Sequence, residues 1–129
     1  MGQAKKPTIL LVDDEPEVRE IIADVLRDAD YHVLEAASGP EALAASDAHP
    51  GKIDLLLTDL IMPGMTGRML ADMLLPRRPG ITVVFISGYL DDSRSSLTEK
   101  RTYFIQKPVI AETILKKVSE ALSGTTKDR

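Results

Sequence analysis

The chain has 129 residues, a formal charge of −4 and 43% hydrophobic residues, the size and composition of one ordinary globular domain with a full core. Lacking cysteine, it can form neither a disulfide framework nor a thiolate metal site, which fits a reducing compartment. No Lys/Arg run is dense enough for a nucleic-acid footprint, and three tyrosines, two phenylalanines and no tryptophan make a poor base-stacking platform; direct nucleic-acid binding is not expected. The apolar stretches fall far short of a membrane span, and Met1 to Thr8 carries no signal-type segment, so the expectation is a cytoplasmic protein without membrane insertion.

Met1 to Pro7 is polar. Thr8 to Val12 is an apolar run of the kind that forms a strand buried on both faces, and it stops on Asp13-Asp14-Glu15. Pro16 suits the first turn of a helix, and Val18, Ile21, Ile22, Val25 and Leu26 recur on one helical face to about residue 29. Tyr31 to Ala36 reads as a second strand. Ser38 and Glu41 have capping-box spacing at the start of a second helix, which His49-Pro50-Gly51 ends. Ile53 to Thr58 is a third strand, and Asp59 sits where it stops, before the turn signal Pro63-Gly64. Met69, Leu70, Met73 and Leu74 mark a third helical face, stopped by Pro76, and the five methionines read as core filler. Ile81 to Ile86, rich in β-branched residues, is a fourth strand ending at Ser87-Gly88. Asp91 to about Lys100 is a weak polar helix anchored by Leu97. Thr102 to Ile105 is a fifth strand leading into Gln106-Lys107-Pro108, and Ile110, Ile114, Leu115, Val118 and Leu122 make the last helix, closed by Gly124.

Five strands alternating with five helices predict a doubly wound α/β fold around a parallel sheet, as a single domain over residues 1–129 with its core at about 8–122. Four strands end at their carboxyl side on a residue with chemistry: Asp13 and Asp14, Asp59, Ser87 and Lys107. Those ends share one rim, where ligands of such sheets bind. If the strand order is the flavodoxin-like 2-1-3-4-5 borrowed from that architecture, strands one and three are neighbours and three carboxylates share a pocket. Two like charges about 4 Å apart repel by roughly 4 kcal/mol at an effective dielectric near 20, so either a proton is retained or a divalent cation is bound. Oxygen-only ligands on a shallow rim suit Mg²⁺. Lys107 and Ser87 would then face an anion with several oxygens, which points to phosphoryl transfer with Asp59 as nucleophile.

Val12-Asp13-Asp14, Thr58 to Gly64, Ile86-Ser87-Gly88 and Gln106-Lys107-Pro108, in that order at strand ends, resemble the receiver domain of two-component response regulators (CheY-like) over residues 8–122. The resemblance implies that Asp59 takes a phosphoryl group from a phosphohistidine of a sensor histidine kinase or a histidine phosphotransfer protein. It implies that Asp14, Asp59 and the backbone carbonyl of Ile61 hold Mg²⁺, with Asp13 acting through water. It also implies that Lys107 pairs with the phosphoryl group while Ser87 moves toward it and Phe104 turns inward as an aromatic switch. Gly88, Tyr89 and Pro108 complete the matching motifs, and the wording from Ile86 to Asp92 with Phe104 to Pro108 is similar to receivers fused to hybrid sensor histidine kinases. The implied protein phosphorylates and slowly dephosphorylates itself without an external product, although a longer parent chain could include a histidine kinase. A homodimer is left open.

Two features depart from the family pattern: the stretch between Ser87 and Lys107 is shorter and more polar than the usual fourth helix, and Phe104 lacks the hydroxyl of a common tyrosine. Taken singly, Asp13 and Asp14 are also good helix caps, Ser87 before Gly88 a good turn, and Lys107 a good solvated cation. His32 and His49 read as a strand residue and a helix-end residue. A P-loop fails because Gly51-Lys52 is followed by Ile53, and no Gly-x-Gly-x-x-Gly follows a strand. An Asp-nucleophile phosphatase of the haloacid-dehalogenase type fails because Ile61 stands where a second acid is needed. The runner-up function is a relay intermediate or phosphate sink that hands its phosphoryl group on without conformational output. Bulky Ile61 and Tyr89, two residues beyond Asp59 and Ser87, predict a long-lived acyl phosphate.

Overall fold

The computed structural model describes residues 6–88 and 102–123. The chain runs β1 (Thr8–Val12), α1 (Pro16–Asp28), β2 (His32–Ala36), α2 (Gly39–Ala48), β3 (Leu55–Asp59), α3 (Gly67–Leu74), β4 (Thr82–Ser87), β5 (Thr102–Gln106) and α4 (Ala111–Ser123). The helix expected over residues 91–100, its anchor Leu97, Tyr89 and the closing Gly124 lie outside the described residues. All strand pairs are parallel, in the order β2-β1-β3-β4-β5. Among the described residues, no helix is long and apolar enough to cross a membrane.

Strand alternation sorts the core into two layers. Leu10, Val12, Leu56, Val83 and Phe85 point to the face covered by α2 and α3. Ile9, Leu11, Leu55, Leu57, Val84, Ile86 and Ile105 point to the face covered by α1 and α4. With helices on both faces, β1, β3 and β4 are buried along their whole length, which is why they read as unbroken apolar runs.

Helix starts follow from local chemistry. Ser38 Oγ accepts from Glu41 N at 3.2 Å, and the Glu41 carboxylate accepts from Ala37 N, one residue before the cap, so a variant of the box forms with Pro40 inside it. Thr66 Oγ1 caps α3 from Met69 N at 3.1 Å.

The buried stripe of α3 is Gly67, Leu70, Ala71 and Leu74, and Met69 and Met73 lie at its exposed edge. That corrects the expected face: one residue is a 100° turn, and two small residues rather than two methionines complete the stripe. Ile21 and Ile110 are likewise exposed, while Ala23 and Ala121 are buried. Of the methionines, Met62 is buried and Met65 packs against the core from a half-buried position.

Candidate functional site

The rim at the carboxyl ends of the strands is assembled by register. Val12 pairs with Thr58 and Asp59 with Ile86, so Asp13, directly after β1, and Asp59, at the end of β3, become neighbours. The Leu60 amide donates to the carbonyl of Ile86, and the Lys107 amide to that of Ser87, which carries the ladder one step past the strands and fixes where Lys107 leaves the sheet. One carboxylate oxygen from each of Asp13, Asp14 and Asp59 lies within 4.8 Å of the others. Asp13 and Asp59 are buried and Asp14 is exposed, so the cluster opens to solvent on one side.

Asp59 Oδ1 accepts from the Ile61 amide at 3.2 Å and Oδ2 from Lys107 Nζ at 3.1 Å. Asp13 Oδ1 accepts from the Glu15 amide at 2.9 Å, a turn that delivers the chain to α1 at Pro16, whereas Asp13 Oδ2 is buried without a hydrogen-bond partner. A buried carboxylate oxygen without a donor is costly. Burial pushes the Asp13 carboxyl above its ordinary range; the Glu15 amide holds it back in part, and the charge of Asp59 adds to the rise. Burial alone would lower the Lys107 ammonium, but its hydrogen bond to Asp59 and the charges of Asp59 and Asp13 outweigh that and raise it. Among the described residues, three carboxylates thus face the one ammonium of Lys107. The orphaned oxygen and the all-oxygen donor set fit a hard divalent cation.

Ser87 is buried at the end of β4, and Gly88 is exposed beyond it. Phe104 is half-buried in β5 with its ring against Phe85, centroids 5.6 Å apart. The Lys107–Pro108 peptide is cis. Ile61 lends its amide to Asp59 while 70% of its surface stays exposed. Of the described residues predicted for the site, Asp13, Asp14, Asp59, Ile61, Ser87, Gly88, Lys107 and Pro108 thus lie at the carboxyl ends of the strands, while Phe104 lies within β5 opposite Phe85.

Three contributors escape sequence reasoning. Gly67 opens α3 against the backbone of Asp59, where an added Cβ would strike the Asp59 carbonyl oxygen. Arg19 donates through Nη1 to the Asp13 carbonyl at 2.8 Å and through Nε to Glu35 at 3.2 Å. Only a glycine after a turn and a cation one turn into α1 could have flagged them.

A parallel sheet in this order, with a cluster of three carboxylates and a lysine on its rim, is the arrangement of receiver-type signalling domains. Residues 9–119 match the family model described as the response regulator receiver domain, and the chain belongs to that family. It is 36% identical over 117 residues to the sensor kinase CckA of Brucella abortus, covering 89% of this chain and 12% of that protein. It is 33% identical to the positive alginate biosynthesis regulatory protein of Pseudomonas aeruginosa, covering 88% of this chain and 46% of that one. The solved receiver domain of the hybrid histidine kinase CckA superposes with a TM-score of 0.73 at 39% identity, over 89% of this chain and 98% of that one. The chemotaxis protein CheY4 of Vibrio cholerae superposes at 0.84 with 26% identity, over 92% of this chain and 100% of that one. The chain spans only 12% and 46% of the lengths of these two curated relatives. It is a receiver domain of two-component phosphorelay signalling.

Proposed function

We propose that Asp59 accepts a phosphoryl group from a phosphohistidine of a sensor histidine kinase or a histidine phosphotransfer protein. An Asp59 oxygen attacks phosphorus in line, the P–N bond breaks with its electron pair returning to the imidazole, and an acyl phosphate remains. The observation that carries this reading is the buried Asp59 carboxylate, 3.1 Å from the Lys107 ammonium and clustered with the carboxylates of Asp13 and Asp14. Asp14, Asp59 and the Ile61 carbonyl are the residues to hold Mg²⁺, with Asp13 acting through a water. The ion, when bound, neutralises charge spreading over the phosphoryl oxygens. Lys107 moves from Asp59 Oδ2 to a phosphoryl oxygen, and the Ser87 hydroxyl donates to another. Phe104, half-buried against Phe85, follows Ser87 inward and changes a partner-binding surface. The chain catalyses its own phosphorylation and slow dephosphorylation as a single domain, and releases no other product.

Intact-mass measurement after acetyl phosphate and Mg²⁺ tests this. The wild type gains one phosphoryl group and Asp59→Asn gains none; labelling of Asp59→Asn, or an unlabelled wild type without affinity for Mg²⁺, overturns the reading.

The similarity to the CckA receiver favours a second reading, in which the domain is a relay intermediate passing phosphate to a histidine phosphotransfer protein. Rapid loss of label to such a partner supports the relay; a partner affinity that changes on phosphorylation supports the switch.

A further inference from the structure

Asp13 is held at three points. Its amide donates to the Ala36 carbonyl at 3.2 Å, its Oδ1 accepts from Glu15 N at 2.9 Å, and its carbonyl accepts from Arg19 Nη1 at 2.8 Å. Oδ2 alone is left without a partner. The first is a backbone bond at the end of β1, and the second is a turn that the Asp13 side chain closes on its own chain. The third comes from a side chain on another element, and that side chain is itself held. Arg19 Nε donates to Glu35 Oε1 at 3.2 Å, and the other oxygen of Glu35 accepts from Arg27 Nη1 at 3.1 Å. Arg27 Nη2 is tied in turn to the Val33 carbonyl at 3.1 Å.

The Arg19 side chain is only 19% exposed and its bond to the Asp13 carbonyl is part-buried, whereas the ion pair with the more exposed Glu35 is open to solvent screening and serves here for its geometry rather than its strength. A guanidinium is a rigid plane, so fixing Nε on a β2 carboxylate also fixes the direction of Nη1. A lysine at the same place could reach one of the two acceptors but could not hold both in one plane.

We infer that Arg19, oriented by Glu35, is a positioning residue that locks the Asp13 peptide and so fixes the carboxylate that Asp13 brings to the acidic cluster. The inference rests on the cation-binding reading of that pocket and adds to it a control outside the ligand set. Mg²⁺ tolerates little departure from its preferred geometry, so a peptide free to rotate at Asp13 costs affinity without changing any ligand.

Calorimetric titration of the apo protein with Mg²⁺, alongside thermal unfolding in chelator, tests it. Arg19→Gln lowers Mg²⁺ affinity by about tenfold, the low end of the range for groups that orient ligands, and Glu35→Gln lowers it less. Arg19→Lys, which keeps the charge and loses the fork, stays closer to Arg19→Gln than to the wild type, and serves as the test if Arg19→Gln does not fold. In an Asp13→Asn background the Arg19 substitution has no further effect on affinity, because the residue through which it acts is gone. A loss of thermal stability with unchanged Mg²⁺ affinity, or an equal loss of affinity in the Asp13→Asn background, overturns the inference and leaves the phosphoacceptor reading intact. A wild type without affinity for Mg²⁺ overturns both.

Discussion

The two ends of the sheet each carry a carboxylate beside β1, and their treatment is opposite. At the amino end Asp54 is stitched in: Oδ2 accepts from the Thr8 amide at 2.8 Å, and Oδ1 lies 3.4 Å from Lys52 Nζ. Its own amide donates to Thr8 O, and its carbonyl accepts from Thr82 N, so the residue ties β1, β3 and β4 together. At the carboxyl end Asp13 keeps an unpartnered oxygen and faces two further acids. Cavity size points the wrong way. A cleft of about 590 Å³ opens at the amino end, lined in part by His32, His49, Lys52 and Asp54, yet Asp54 is already partnered there. Unspent bonding capacity, rather than room, sets the carboxyl end apart.

The sharpest test of that contrast is to cut the amino end and watch the carboxyl end. Arg78 clamps the end of α2 through the carbonyls of Ser46, His49 and Gly51 and the Ser46 hydroxyl. Arg78→Ala should cost on the order of 3 kcal/mol in urea unfolding, since bonds from a charged donor are lost together. Labelling by acetyl phosphate, measured where the variant is folded, should be unchanged. Asp54→Ala should cost about 2 kcal/mol by leaving the buried Thr8 amide without its acceptor, and Asp54→Asn should recover most of it. A drop in Mg²⁺ affinity in either variant would break the division between a structural and a functional end.

Asp13→Asn should go the other way and stabilise the metal-free protein, by about 1 kcal/mol near neutral pH, because it removes a buried charge facing Asp59. The sign follows from linkage. The folded-state pKa of Asp13 is raised above its unfolded value, so the stability linked to its protonation is full below the unfolded pKa and is lost as pH rises through the folded one. The advantage of Asp13→Asn should therefore shrink as pH falls and vanish below the ordinary aspartate value of about 3.8. Thermal unfolding with chelator across pH checks this, and saturating Mg²⁺ should favour the wild type.

How much of this is legible in the letters depends on what burial does to them. Strands covered on both faces must be apolar throughout, so a carboxylate directly after such a run stands out; Asp13 and Asp59 are found that way, whereas Lys107 follows the half-buried edge strand β5 and is found only by its place at a strand end. The α3 stripe is not, because Gly67 and Ala71 add little hydrophobicity and are chosen for closeness; Gly67 has no room for a Cβ against Asp59. Arg19 hides for another reason. On a helix it looks like any solvated cation, and its partners Glu35 and the Asp13 carbonyl become neighbours only once β1, β2 and α1 have packed.

Ile61 supplies the smallest and most local test. Its amide binds Asp59 Oδ1, and its side chain is largely exposed above the rim rather than packed in the core. Ile61→Asn should thus change unfolding stability by less than about 0.5 kcal/mol, as for other surface positions. Its effect should appear in the lifetime of the acyl phosphate, since an amide can hold a water where a branched alkyl group excludes one. Chasing label from the phosphorylated protein in Mg²⁺ should show faster loss in Ile61→Asn than in the wild type. An unchanged rate would mean that the side chain two residues past Asp59 does not control water there, and the orphaned chemistry of the rim would have to be protected by something other than apolar cover.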